Sequence, residues 1–231
     1  MNSLPQKLAA EFIGTFTLIF IGAGSICADA VLRAGGGAGV GILGIALAHG
    51  LAIGIMVSAL GHISGGHFNP AVSAAFWVTK KLSTLHTIAY WIAQLLGGIA
   101  GAYALRAVMP PSVWNGPVWL GTPMLAADYT RLHGMILEGV MTFLLVFVIF
   151  ATAADPRGAF NKIAGFAIGL TITMDILMGG PFTGAAMNPA RALGPALASR
   201  QWSNQGVYWV GPLLGAVLAG WIYNSFFLRE S

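Results

Sequence analysis

The chain has 231 residues, of which 57% are hydrophobic and only 8% charged, with a formal net charge of +4. A soluble domain carries about 25% charged residues, so most of this chain belongs in lipid and a water-soluble globule is excluded. Its Lys and Arg residues are scattered, which denies a nucleic-acid partner the basic patch it needs, and the single cysteine, Cys27, forms no intrachain disulfide and reads as a small buried apolar residue.

The opening segment MNSLPQKLAAEF places one Lys before an apolar run, as a signal peptide would, but the run passes Ile21 and contains Glu11, so it reads as a retained first helix. A membrane-crossing helix needs roughly 20 mostly apolar residues. Six segments reach that length, at about 8–29, 40–60, 84–107, 133–153, 162–180 and 206–228. Two more apolar stretches, Asn69 to Val78 and Asn188 to Ala198, are about half as long and follow Gly-rich turns. Half-spans are tolerated at membrane depth only where their backbone is buried in protein or lines a wet cavity, so two of them predict a pore. The short tails are read as leaving the membrane body as nearly the whole protein.

The sequence repeats itself. AEFIGTFTLIF from Ala10 parallels LEGVMTFLLVF from Leu137, and YWIAQLLGGIAGA from Tyr90 parallels YWVGPLLGAVLAG from Tyr208. Glu138 follows Glu11 by 127 residues, Asn188 follows Asn69 by 119 and Tyr208 follows Tyr90 by 118. Each unit holds three spans, so the second enters the membrane upside down: the expectation is one domain, 1–231, of inverted repeats about 1–110 and 130–231. This arrangement puts Lys7, Lys80, Lys81, Arg157, Lys162 and Arg229 on one face and Arg33, Arg106, Arg131 and Arg200 on the other. The positive-inside bias makes the first face, with both termini, cytoplasmic.

Both half-spans open on Asn-Pro-Ala, at Asn69, Pro70, Ala71 and at Asn188, Pro189, Ala190. Asn is a favoured helix cap, and Pro at the first helical position loses only an N–H that would be unpaired there. Two such helices aiming their amino ends at the midplane place about half a positive charge each at the pore centre, which opposes cations. The two Asn amides can donate to a water oxygen, which then makes a poor proton relay.

The paired boxes, the GHISGGHFNPAV segment from Gly61 and the Arg191 that follows the second box resemble the aquaporin (major intrinsic protein) family over essentially the whole chain. The resemblance implies an all-α membrane protein, six transmembrane helices plus two reentrant half-helices in a right-handed bundle, assembled as a homotetramer with one pore per subunit. It also implies a passive channel for water and small uncharged solutes, with no cofactor and no catalysis.

By the same resemblance, counting from the two Asn residues without gaps, the selectivity filter is His49, Ile176, Ala185 and Arg191. That set departs from the Phe and His of strict water channels and is similar to plant tonoplast intrinsic proteins, as is ATAADPRG from Ala151. It implies ammonia permeation, with His49 and Arg191 as donors. Arg191 facing lipid would cost about 2.5–3.5 kcal/mol, so it must face something wet or paired. Backbone carbonyls of Gly65, Gly66 and His67 and of Gly184, Ala185 and Ala186 are the implied acceptor ladder.

Glu11 and Glu138 occupy matching places in apolar helices. A proton relay is one reading; their symmetry favours acceptance of backbone N–H groups from the reentrant loops. His62 and His67 have no third ligand nearby, so no metal site is expected. Asp175, beside Ile176, is left to pair across helices or to touch a neighbouring subunit. A glycerol facilitator is the alternative within the family, but Ala192, not Asp, follows Arg191. A proton-coupled transporter would carry more charge along its path, and an enzyme would need a nucleophile with its base or a set of metal ligands. A plasma or inner membrane is expected over an organelle, and the short tails equally fit a prokaryotic inner membrane.

Overall fold

The computed structural model describes residues 2–157 and 163–228. Lys162 and Arg229 of the charge comparison, and Gly158, lie outside the described residues. Among the described residues all regular structure is helical. Six helices are long and apolar enough to cross a membrane: α1 (Leu4–Ala34), α2 (Gly41–Ser64), α4 (Thr84–Val108), α5 (Arg131–Ala154), α6 (Ala164–Thr183) and α8 (Val207–Phe227). Two are half that length, α3 (Pro70–Val78) and α7 (Pro189–Ser199).

The helices outrun the hydropathy pattern at their polar ends. At the start of α1 the backbone N–H of Ser3 donates to Gln6 Oε1 at 2.8 Å, adding the turn that contains Pro5 and Lys7. Its other end is extended by the Asp29–Arg33 pair at 2.7 Å, and Asp29 also accepts the backbone N–H of Gly41, which opens α2. Inside α1, residues Leu18–Ala23 loosen into a π-helical stretch, a local widening that the apolar run gave no sign of.

Contacts follow the repeat. α1 packs on α4 and α5 on α8; α2 packs on α6; and each half-helix sits on the last long helix of the opposite half, α3 on α8 and α7 on α4. Lipid gives no hydrophobic drive between helices, so close backbone approach at small residues supplies the attraction. At the α2–α6 crossing a Cβ on Gly50 would stand 2.4 Å from the Gly169 carbonyl oxygen, and one on Gly169 would stand 2.5 Å from that of Gly50. Leu51, Leu85, Leu132, Phe166 and Leu214 point outward and exposed, the surface expected to meet lipid.

Candidate functional site

α2 and α6 both end on a left-handed glycine, Gly65 at φ 94° and Gly184 at φ 82°, from which the chain doubles back toward the bundle centre. The two return loops repeat each other, with positive φ at Gly66 and Ala185 (65° and 43°) and at Phe68 and Met187 (49° and 50°). Ala, Phe and Met adopt that region only where the surroundings enforce it.

The enforcement comes from the two buried glutamates. Glu11 Oε1 accepts the Ser64 hydroxyl at 2.6 Å and the His67 N–H at 3.0 Å; its Oε2 accepts the Phe68 N–H at 2.6 Å and the Gln94 amide at 2.7 Å. Glu138 Oε1 accepts Thr183 Oγ1 at 2.7 Å and the Ala186 N–H at 2.9 Å, and its Oε2 accepts the Met187 N–H at 2.7 Å. Tyr90 donates to the Ser64 carbonyl and Tyr208 to that of Thr183, at 2.7 and 2.8 Å. Charge-assisted bonds to backbone N–H are the stronger kind, and here they hold the loops folded.

Each loop delivers its Asn to the tip of a half-helix. Asn69 Oδ1 accepts the Ala71 N–H at 2.9 Å and Asn188 Oδ1 that of Ala190 at 3.0 Å, capping α3 and α7 with Pro70 and Pro189 at their first positions. The amide nitrogens cross over: Asn69 Nδ2 donates to the Met187 carbonyl at 2.8 Å, and Asn188 Nδ2 to the Phe68 carbonyl at 2.9 Å. An amide nitrogen has two hydrogens, so one remains on each for the space between the tips.

That space is a narrow cavity of about 30 Å³. One water needs roughly 10–15 Å³ counted this way, so it holds a short single file. Asn69, Asn188, His49, Ile176, Ala185 and Arg191 all line it, as do Gly66, His67 and Ala186. Gly65 and Gly184 do not; they are the helix caps from which the loops start. Pro70, Ala71, Pro189 and Ala190 stand behind the lining and shape the half-helix starts.

Arg191 is almost wholly buried, and its Nη1 donates to the Gly121 carbonyl at 2.8 Å while Nε and Nη2 have no protein partner. It is therefore both paired and directed at the lumen. His49 is corrected by its neighbours: its Nδ1 lies 2.9 Å from the Ile45 carbonyl, an acceptor, so Nδ1 carries the hydrogen and Nε2, also without a protein partner, is an acceptor rather than a donor. Room for the ring comes from Gly22 in the π-helical stretch of α1, where a Cβ would lie 2.5 Å from His49 Cδ2. Asp175 is buried, and neither a salt bridge nor a hydrogen bond joins it to any described residue.

The profile of the major intrinsic protein family matches residues 2–223. The chain belongs to that family. It is 45% identical over 222 residues to the probable aquaporin TIP3-2 of Arabidopsis thaliana, covering 93% of this chain and 81% of that one. It is 42% identical to aquaporin-4 of Mus musculus, over 97% of this chain and 68% of the relative. The solved aquaglyceroporin of Plasmodium falciparum superposes with a TM-score of 0.83 over 97% of both chains, at 24% identity, a likeness of fold. As a member of the aquaporin family with a TIP-like relationship, the protein is an integral multi-pass membrane channel for water and small solutes and not an enzyme.

Sequence reasoning missed the apolar wall: Leu18, Ile53, Val72, Leu145, Ile149, Ile168, Ile172 and Met187. A signal for it existed. Ile168 and Ile172 stand at the repeat positions of His49 and Ile53 by the offset that pairs the Asn residues, and Leu145 at that of Leu18 by the offset that pairs the Glu residues, so the repeat could have paired these. Gly121 had no such signal, because what it contributes is a backbone carbonyl from an irregular connection.

Proposed function

We propose that the channel conducts water, ammonia and other small uncharged solutes and excludes protons, ammonium and other ions, with His49, Ile176, Ala185 and Arg191 as its filter. The observation that carries the reading is the set of buried groups left free around the lumen: donors on Arg191 Nε and Nη2 and an acceptor on His49 Nε2, with Ile176 presenting only hydrocarbon. Ammonia has one lone pair and three hydrogens, so it accepts from Arg191 and donates to His49. A wall polar on every side would favour water, and Ile176 removes one polar side. Ammonium meets the fixed charge of Arg191 and the two helix amino ends in a passage of low dielectric.

The crossed Asn69 and Asn188 amides support proton exclusion, since their remaining hydrogens occupy the lone pairs of a water between the tips. We further propose one domain of inverted repeats, about 1–110 and 130–231, and a homotetramer with a pore per subunit. Both termini are assigned to the cytoplasmic side on the Lys and Arg bias. The TIP relatives favour a vacuolar membrane over the plasma or inner membrane expected from the sequence, and the position of a fluorescent fusion in a host with vacuoles decides between them. Glycerol is the second substrate reading, disfavoured by Ala192 after Arg191.

Stopped-flow light scattering on proteoliposomes, with water, glycerol, urea and ammonia gradients in parallel, tests the reading. Water flux far above empty vesicles and luminal alkalinisation under ammonia without current are expected. Water flux no faster than lipid, from folded protein, overturns it. The double change His49→Phe with Ile176→His is expected to keep water flux and lower ammonia flux; an unchanged ratio removes these residues from the filter.

A further inference from the structure

Behind the first return loop lies a buried chain of polar groups that the conduction mechanism above does not use. Gln94 Nε2 lies 2.7 Å from Glu11 Oε2 and 2.9 Å from Ser73 Oγ, and Ser73 Oγ lies 3.0 Å from His67 Nδ1. Glu11, Gln94 and Ser73 are fully buried, and His67 nearly so.

The hydrogens in this chain can be placed by elimination. Glu11 receives hydrogen bonds from four donors, Ser64, His67 N–H, Phe68 N–H and Gln94, so it acts only as an acceptor. Gln94 must then turn its NH2 toward it, and the second hydrogen of the same nitrogen goes to Ser73. Ser73 Oγ therefore accepts from Gln94 and has one hydrogen left to give. His67 Nδ1 is the acceptor within reach. The reverse arrangement, with Nδ1–H donating to Ser73, would strand the Ser73 hydrogen in a fully buried place, at the cost of an unsatisfied polar group. With Nδ1 used as an acceptor, the neutral imidazole carries its hydrogen on Nε2. That atom has no protein partner and is not buried, and the ring lines the lumen, held at centroid distances of 4.4 Å from Phe76 and 5.4 Å from Tyr90.

We propose that Ser73 and Gln94 are positioning residues that fix the tautomer of the lumen-lining His67, so that its ring presents Nε2–H, a donor, to the solute file. The two lumen histidines are thereby opposites. His49, pinned through Nδ1–H to a carbonyl, offers an acceptor on one side of the Asn pair; His67, pinned through Nδ1 to a hydroxyl, offers a donor on the other. The second loop has no such group, because the repeat positions of His67, Ser73 and Gln94 are Ala186, Ala192 and Pro212.

Solid-state NMR of the full-length channel in lipid with 15N-labelled histidine reads the tautomer directly, independently of flux. His67→Phe, which keeps an aromatic ring against Phe76 and Tyr90, identifies the His67 signals by their loss. The expected wild-type state is an unprotonated Nδ1 and a protonated Nε2. Ser73→Ala is expected to shift the population toward Nδ1–H, and Ser73→Thr to restore it; Gln94→Leu frees the hydroxyl to accept and is expected to act like Ser73→Ala. In proteoliposomes, His67→Phe is expected to lower water flux per folded channel by roughly two- to fivefold, about the worth of one hydrogen bond. A wild-type Nδ1–H tautomer, or a tautomer indifferent to Ser73→Ala, overturns the positioning role. Unchanged flux in folded His67→Phe overturns the donor role, while the NMR result stands whether or not the proposed filter is correct.

Discussion

The two return loops are the same device with different fillings. Each has a left-handed glycine, a hydroxyl residue before it, a glutamate that collects two loop N–H groups and a tyrosine bonded to the helix-end carbonyl. The first loop adds Gln94, Ser73 and His67 behind and beside the lumen and leaves Val72 on the wall. The second has Pro212, Ala192 and Ala186 in those places and puts Arg191 where the first has Val72. The shared glutamates and tyrosines hold backbone, while the unshared residues line the lumen, as His67, Val72, Ala186 and Arg191 do, or stand behind a lining group, as Ser73 and Gln94 do, and the division separates scaffold from selectivity.

Breaking the scaffold should do the most damage. Glu138→Leu strands two buried backbone N–H groups, each worth about 1–3 kcal/mol, and is expected to collapse the folded yield in detergent; Glu138→Gln keeps an acceptor and should lose less. Glu11→Leu is expected to be comparable. Size-exclusion profiles and melting curves check both pairs. If Gln and Leu leave folding intact yet both abolish transport, the glutamates are a relay and not a scaffold.

Second in size is the room made for His49. Gly22→Ala puts a methyl group where the imidazole lies and is expected to lower water flux at near-normal yield. At the repeat position on the facing half stands Ile149, which lines the lumen, and Ile149→Ala is expected to widen the lumen and raise permeation of larger neutral solutes. Osmotic shrinkage with urea and glycerol separates the two outcomes.

Tyr90→Phe and Tyr208→Phe each remove one hydrogen bond to a buried carbonyl, so losses of about 1 kcal/mol each are expected in the melting curves. Equal losses support the shared scaffold; a large inequality would mean that Gln94 carries part of the first loop.

The smallest effect lies at the ends of α5 and α8. Arg157 bonds Asp155 through Nε and Nη2 and, with Tyr223, holds the Asp155 carboxyl below the usual carboxylate range. A depressed carboxylate contributes stability above its unfolded pKa, near 3.8, and loses it as pH falls through the lower folded value. Arg157→Ala is therefore expected to lower stability slightly at neutrality and to draw closer to wild type in acid, where Asp155 is protonated in both; a curve that coincides with wild type at every pH, or a gap that does not narrow in acid, refutes the coupling.

What could be read from the residues follows the same division. The spans, the half-spans and the pairing of Glu11 with Glu138 were legible because hydropathy and a repeated motif are local patterns. The His49 tautomer was not, since it depends on a carbonyl one helical turn away whose direction only the folded backbone fixes. Neither was the Gly121 contact to Arg191, in a connection where Trp119 and Leu120 take left-handed conformations without a glycine to announce them. The acceptor ladder expected from Gly65 and Gly184 onward meets a cavity lining that starts one residue later, at Gly66 and Ala185, because the two glycines serve as helix caps.

The crossed amides also order events in time. Asn69 donates to the carbonyl of Met187, and Asn188 to that of Phe68, so Asn69 must wait for a partner until more than a hundred further residues have left the ribosome. Since synthesis runs from the amino end, the first half can insert its three long helices and fold its loop on Glu11 early, but the Asn69 amide stays without its partner until the second half arrives. The passage is thus the last part of the molecule to take shape, and a chain arrested before residue 187 would have a membrane anchor but no pore.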